Sequence, residues 1–408
     1  MTTTTTLIHR VYNGPLEWWR DGLVYEIGSL DIGAADLEAA HGVLDHIASL
    51  GFNVVLVRPS RVPIDGDLSS FRSFAGRAHE LGLRVITRIS GALGPVTGAH
   101  AHDAGPIFTG QERGDKGLLE RAVAFLAEGA DGVDLGTIVP PEVSAETDLN
   151  RLSEYFAILQ AIVAEHVDDG LIGADVSADY PSALRHHLQD DWLHHLRDDA
   201  LMLTRWNAES LTRHITHSLD EHDRFGAPPA WRYLPSYRLV ESTDPGDGRR
   251  WFETGDEERG RRSLALQALV LALPGSVYLR QGDEISLPDK DKPTSTQELA
   301  ELIDERSGEQ GVQFGSPLAT VRHATYVRRE HALATGPFAF VVGLDWCPTD
   351  VLTFLNRDIL VLVNTSEQGV ALPEQAQVLL ASRALLQEDR HLVVPPTTTV
   401  WLLASTVA

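Results

Sequence analysis

The sequence predicts an α/β protein: a (β/α)8 TIM barrel followed by a small all-β C-terminal domain. Three observations lead there. Short apolar runs alternate with amphipathic helical stretches, as expected of parallel strands buried under helices. Eight such runs precede residue 326, the number a closed barrel needs. Beyond 326 the helical stretches stop, and short β-like runs follow one another with turn residues between them. The expected division is a leader over 1–15, a barrel over 16–325 and an all-β domain over 326–408.

The elements follow in order. The threonine run in MTTTTTLIHR reads most simply as a disordered leader. LVYEIGSL (23–30) is the first strand candidate, with a helix from Ala35 to Leu50 behind it. FNVVLVRPS (52–60) is the second, with a helix over Phe71 to Leu81, and LRVITRIS (83–90) the third. Gly94 to Arg113 reads as a loop of about 20 residues. A helix from Gly117 to Glu128 leads into ADGVDLGT (130–137), and one from Leu149 to His166 into LIGADVS (171–177). LHHLRDDALMLTRW (193–206), APPAWRYLPSY (227–237) and SVYLRQG (276–282) complete the eight. The tail then runs through AFVVGLDW, VLTFLNR, ILVLVNTS, VALPE, QVLLASR and TTVWLLAS.

Composition excludes several classes. Asp and Glu number 58 against 34 Lys and Arg, leaving a net charge of −24, whereas a nucleic-acid binder needs clustered base. Cys347 is alone, so a disulfide scaffold is impossible, and it reads as an inert small apolar residue. No window approaches 18 uninterrupted apolar residues, so no membrane span is expected. The N-terminus lacks a basic region followed by an apolar one, so no secretion signal is read. The expectation is an acidic cytoplasmic protein with neither nucleic acid nor membrane as partner.

Barrel ligands meet the C-terminal ends of the strands. The polar residues expected there are Glu26, Arg58, Arg88, Asp134, Asp175, Trp206, Tyr237 and Arg280, with Gln281 beside the last. Such a mixture of acids and arginines suits a polar ligand or a salt-bridge network closed on itself. The network carries more weight, because buried strand-end charges commonly pair with one another. Trp206 and Tyr237 have faces on which a sugar ring can stack. His100 and His102 form a His-x-His pair in AHAHD, but no further Cys or His cluster accompanies them, so neither metal nor cofactor is expected. Phosphate-binding glycine loops and a Gly-x-Ser-x-Gly elbow are absent.

Several segments carry a family resemblance. They are WWRDGLVYEI (18–27), GFNVVLVRPS (51–60), ADGVDL (130–135), LIGADVSADYPSAL (171–184) with DDWLHHLRDDALM (190–202), and above all LALPGSVYLRQGDEISLPD (271–289). With the VLVNTS and VWLL runs of the tail, they make the chain resemble the α-amylase superfamily, specifically the α-glucosidase-like members of glycoside hydrolase family 13. The resemblance implies a (β/α)8 TIM barrel with a truncated loop domain after strand three, reduced here to Gly94–Arg113, a C-terminal antiparallel β-sandwich domain and α-glucoside chemistry. That chemistry requires a carboxylate nucleophile, a carboxylic acid/base and a third, supporting Asp.

Carried over residue by residue, the resemblance places Gly136 at the nucleophile, two positions after Asp134, which stands where the family has Arg. Ala174 takes the acid/base position, and Pro235, Ser236 and Tyr237 replace the Asn-His-Asp of strand seven. Asp175 adjoins Ala174 but should point the opposite way, a poor substitute for the acid. On strand three the family's Asp becomes Arg88, and its Asn-His becomes Ala92 and Leu93, which argues against the calcium site of relatives. The family's Asp on strand three and Arg on strand four have therefore exchanged, as Arg88 and Asp134. Exchange keeps an ion pair that loss of one partner would break at a cost of about 3–5 kcal/mol.

The resemblance thus leads to a catalytically inactive, amylase-like protein with a carbohydrate-related binding, scaffolding or partner role. Its expected partners are a carbohydrate or small polar metabolite, and another protein or a second copy of the chain. The alternative is a repurposed barrel enzyme that runs proton transfer or isomerisation on a polar, anionic metabolite clamped by the arginines. An active glycosidase would require the alignment of strands four and five to shift.

Overall fold

The N-terminal threonines form a strand. In the computed structural model β1 (Thr4–His9) pairs antiparallel with Phe338–Val342, so this part of the expected leader joins the C-terminal β domain. β-Branched threonine suits a pleated edge, and that edge is supplied by residues more than 300 positions away. The structure describes residues 3–28, 32–89, 112–138, 149–176, 181–189, 192–198, 200–233, 256–288, 291–293, 295–388 and 390–407.

The barrel alternates strand and helix. It runs β2 (Leu23–Ile27), α1 (Ala34–Ser49), β3 (Val54–Val57), α2 (Ser69–Glu80), β4 (Arg84–Arg88), α3 (Glu112–Ala127), β5 (Gly132–Thr137) and α4 (Leu149–His166). It continues with β6 (Leu171–Asp175), α5 (Pro181–Leu188), β7 (His195–Arg197), α6 (Ala200–Leu203), α7 (Ala208–Phe225), β8 (Ala230–Arg232), α8 (Asp256–Ala272) and β9 (Ser276–Arg280). All eight strands are parallel, in the order β7-β6-β5-β4-β3-β2-β9-β8.

Period-two alternation sorts the side chains. Val24, Val54, Leu56, Ile86, Leu171 and Tyr278 fill the barrel interior with Trp19. Their neighbours Tyr25, Val55, Val85, Val133, Ile172, Ala174, Leu196 and Val277 pack outward under the helices.

Two strands end earlier than the sequence suggests. β7 stops at Arg197 because the Asp198 carboxylate accepts the Ala200 N–H (3.2 Å) and turns the chain into α6. Trp206 is therefore not a strand-end residue; it lies half-buried just before Asn207, the N-cap of α7. β8 stops at Arg232, and Pro235, Ser236 and Tyr237 lie outside the described residues. So do Ala92, Leu93, His100, His102 and most of the expected insertion.

Two helices, α9 (Thr296–Gly311) and α10 (Pro317–Glu330), precede the β domain, so Tyr326 is helical and the strands resume only at Phe338. They are β10 (Phe338–Val342), β11 (Leu352–Asn356), β12 (Ile359–Asn364), β13 (Val370–Ala371), β14 (Val378–Ala381), β15 (Leu386–Glu388), β16 (His391–Val394) and β17 (Thr398–Leu403). They build a six-stranded sheet, β1-β10-β11-β12-β17-β14, and a three-stranded one, β13-β16-β15. Leu360 and Leu362 of β12 face the core shared with Val370 and Val394 of the small sheet, while Ile359, Val361 and Val363 face the barrel's outer core. The large sheet is thus buried on both faces at its central strand β12.

Candidate functional site

The inward residues at the C-terminal ends of the strands meet in one cluster. Arg88 donates through Nε to Asp134 Oδ1 (2.7 Å), through Nη1 to Glu26 Oε1 (2.7 Å) and through Nη2 to Asp175 Oδ2 (3.4 Å). Arg197 donates to Asp175 Oδ1 and Asp134 Oδ2, both at 2.6 Å. Arg232 donates to Asp175 Oδ2 (2.7 Å) and to Glu26 Oε2 (3.1 Å). Each of the six oxygens of these three carboxylates therefore accepts an arginine N–H. Three acids and three arginines balance in charge, and none of the six residues is more than 3% exposed.

Electrostatics follow from that geometry. Burial raises the Asp134 carboxyl, but Arg197 and Arg88 overcome it and hold the group well below the usual carboxylate range. Asp175 is lowered in the same way, burial being outweighed by Arg197, Arg232 and Arg88. Burial draws Arg88 and Arg197 down, and the surrounding carboxylates push both above the ordinary arginine value.

A second buried layer supports the cluster from below. The Arg197 guanidinium lies over the Tyr278 ring, 4.0 Å from its centroid. His195 places Nε2 2.5 Å from the Trp19 carbonyl and Nδ1 2.6 Å from the Tyr278 hydroxyl. A carbonyl only accepts, so Nε2 carries the proton and Nδ1 accepts from Tyr278. Burial depresses this imidazole to about 3 and raises the Tyr278 phenol.

Of the residues expected at the site, Glu26, Arg88, Asp134 and Asp175 come together, and the exchanged pair Arg88–Asp134 is in direct contact. Arg280 is buried beside Glu26 in ladder register, with its backbone N–H donating to Asp283 Oδ2 (2.9 Å), but it is not one of the six. Arg58 lies half-buried past the end of β3, also outside the six. The Gln281 Oε1 accepts the Gly28 N–H at 2.8 Å. Arg197 and Arg232 were missed by sequence reasoning. Strands of three residues give period two almost nothing to act on, and the apolar residues beyond each had extended the runs to Trp206 and Tyr237. The available signal was that the last strand residue in HLR, AWR, VITR and SVYLR alike is arginine.

The acid/base expectation needs correction. Ala174 faces the helix layer, and Asp175 is the residue turned into the barrel. The inward position at the end of β6 does carry a carboxyl, but three arginines hold it ionised, and an ionised carboxylate has no proton to donate. Gly136 has φ +63°, and its N–H donates to Asp134 Oδ1 (2.9 Å). Among the described residues, no group of three or more His, Cys, Asp or Glu is arranged to hold a metal ion, and no helix is long and apolar enough to cross a membrane.

No protein-family model matches the chain, and no curated protein matches it. Solved structures do. The alpha-amylase from H. orenii is 15% identical with a TM-score of 0.63, over 94% of this chain and 99% of that one. A mutant trehalulose synthase, MutB, is 13% identical with a TM-score of 0.61, over 95% and 100%. A Family GH13_31 enzyme is 10% identical with a TM-score of 0.62, over 95% and 99%. At such identities the likeness is one of fold: this chain has the barrel and C-terminal β domain of the α-amylase architecture.

Proposed function

We propose that the chain is an amylase-superfamily barrel without glycosidase activity, acting as a carbohydrate-related binding, scaffolding or partner protein. The observation that carries this reading is the closed cluster. Glycoside hydrolysis needs one carboxylate free to attack and one carboxyl able to give up a proton. Here every oxygen of Glu26, Asp134 and Asp175 is taken by arginine, and the family resemblance puts Gly136 at the nucleophile position.

Purified protein incubated with aryl α-glucosides is expected to release no aglycone and to transfer no glucosyl group. Turnover that disappears in Asp175→Asn or Asp134→Asn would overturn the reading. The second reading, a repurposed enzyme for an anionic metabolite, is favoured by one observation. The Gln281 Nε2, buried beside Arg280, has no hydrogen-bond partner among the described residues, an arrangement that suits a polar ligand. A thermal-shift screen separates the two. Anionic hits lost in Arg280→Ala support the second reading, and neutral maltooligosaccharide hits support the first.

A further inference from the structure

The turn between α9 and α10 holds two large apolar side chains in water. Val312 is 90% exposed and Phe314 is fully exposed. Neither is on a loose end. The Gln310 Nε2 donates to the Ile285 carbonyl (3.0 Å), and its Oε1 accepts the Leu318 N–H (3.1 Å). Ser316 Oγ donates to the Gln310 carbonyl (2.8 Å), and Gly315 supplies the left-handed φ of +73° that the turn requires. The turn is thus held open from both sides. Its two side chains offer on the order of 300 Å² of apolar surface, a patch size often found at interaction sites. Because the turn is already ordered, little conformational freedom is lost when it docks.

Charge selects the occupant. The exposed positions of α9 leading to the turn include Glu298, Glu301, Asp304, Glu305 and Glu309, and Arg306 is already paired with Glu309 (3.2 Å). An anionic membrane surface or a nucleic acid would be repelled by that helix. A second copy would bring like against like in a chain of net charge −24. We infer that the Val312–Phe314 turn docks into an apolar pocket rimmed by lysine and arginine on a different protein. The inference rests on the reading that this chain works by association, and it names the surface and the chemistry of the partner. Phe314 is the anchor that fills the pocket, and the α9 carboxylates meet the basic rim and steer the encounter.

The test replaces Phe314 with a photo-crosslinking phenylalanine analogue in the full chain, irradiates cells expressing it, and identifies the adduct. The partner so found is purified, and its binding is measured with wild type, Phe314→Ser and the Glu301→Lys/Glu305→Lys double variant. All three substitutions are on the surface, and both variants should leave the unfolding midpoint unchanged. The expected result is a heterologous partner with a basic-rimmed pocket, bound at least about tenfold more weakly by each variant and more weakly at high salt. No specific adduct, an adduct with the chain itself, or binding indifferent to Phe314→Ser overturns the inference. A partner bound through another face removes this surface but leaves the association reading standing, whereas α-glucoside turnover would remove that reading and be seen without any partner.

Discussion

Within the buried cluster, Arg88 and Asp134 are each held by more than one partner, so neither can be lost cheaply. Removing one member of a buried pair leaves an uncompensated charge at a cost of about 3–5 kcal/mol. Arg88→Ala and Asp134→Ala are each expected to lower unfolding stability by that order. The double variant should lose less than the sum, with a coupling of about 1–3 kcal/mol. Chemical denaturation of the four proteins measures this, and strict additivity would mean that the exchanged charges do not act as a pair. Acid sensitivity is set first by His195. Its folded value is near 3 against 6.5 for the free side chain, so below pH 6.5 the unfolded chain takes up a proton that the folded chain refuses. Stability is therefore full above pH 6.5 and falls by about 1.4 kcal/mol per pH unit as acid is added. His222, also depressed by burial, adds to the slope. The lowered carboxyls of Asp134 and Asp175 contribute stability that is lost only below their ordinary value near 3.8. Denaturation midpoints between pH 7.5 and 5 should fall in wild type and fall less steeply in His195→Gln.

Among the elements, the weak point of the barrel is the seam between β7 and β8. The ladder order runs from β7 around to β8 without pairing these two three-residue strands among the described residues. Side chains tie the seam instead. Asp175 of β6 holds Arg197 of β7 at 2.6 Å and Arg232 of β8 at 2.7 Å, and Arg232 reaches on to Glu26 of β2. Room for this knot comes from Gly173, where a Cβ would sit 2.9 Å from Asp134 Oδ2 and 3.3 Å from Arg197 Nη1. Arg232→Met keeps the volume and removes the tie. Amide exchange in 195–197 and 230–232 should then accelerate while that in β3 and β4 stays protected. Uniform acceleration across all eight strands would show that the knot stabilises the barrel without holding this seam.

Over the whole molecule, barrel and β domain are joined through α8. Trp401 is fully buried and its Nε1 donates to the Ala268 carbonyl (3.1 Å); Thr399 Oγ1 donates to Ala265 (2.7 Å) and Asn356 Nδ2 to Ala272 (2.9 Å). One hydrophobic core continues from the barrel helices into the large sheet. Heating should therefore unfold both parts in a single transition. Trp401→Ala, at a cost of about 3–5 kcal/mol, should lower the midpoint without splitting it. Two resolved calorimetric transitions would show that the interface does not couple them.

Strand and helix identity were legible in the residues themselves. Apolar runs such as FNVVLV and SVYLR read as buried strands whatever surrounds them, because period and β-branching are local properties. The alternation of eight runs with helices then made the barrel readable, and the family resemblance made the contact of Arg88 with Asp134 expected. What remained hidden depended on partners distant in sequence. Thr4–His9 is a strand only because β10 offers an edge, and Arg197 and Arg232 are site residues only because the barrel brings them to Asp175. Which of Ala174 and Asp175 faces inward is decided by the phase of β6 against its neighbours, and a one-residue error reverses every side chain. Composition and period thus determined an acidic barrel with a β domain. Only the tertiary structure decided that Glu26, Asp134 and Asp175 meet Arg88, Arg197 and Arg232, because charge pairing is a matter of distance in space and not along the chain.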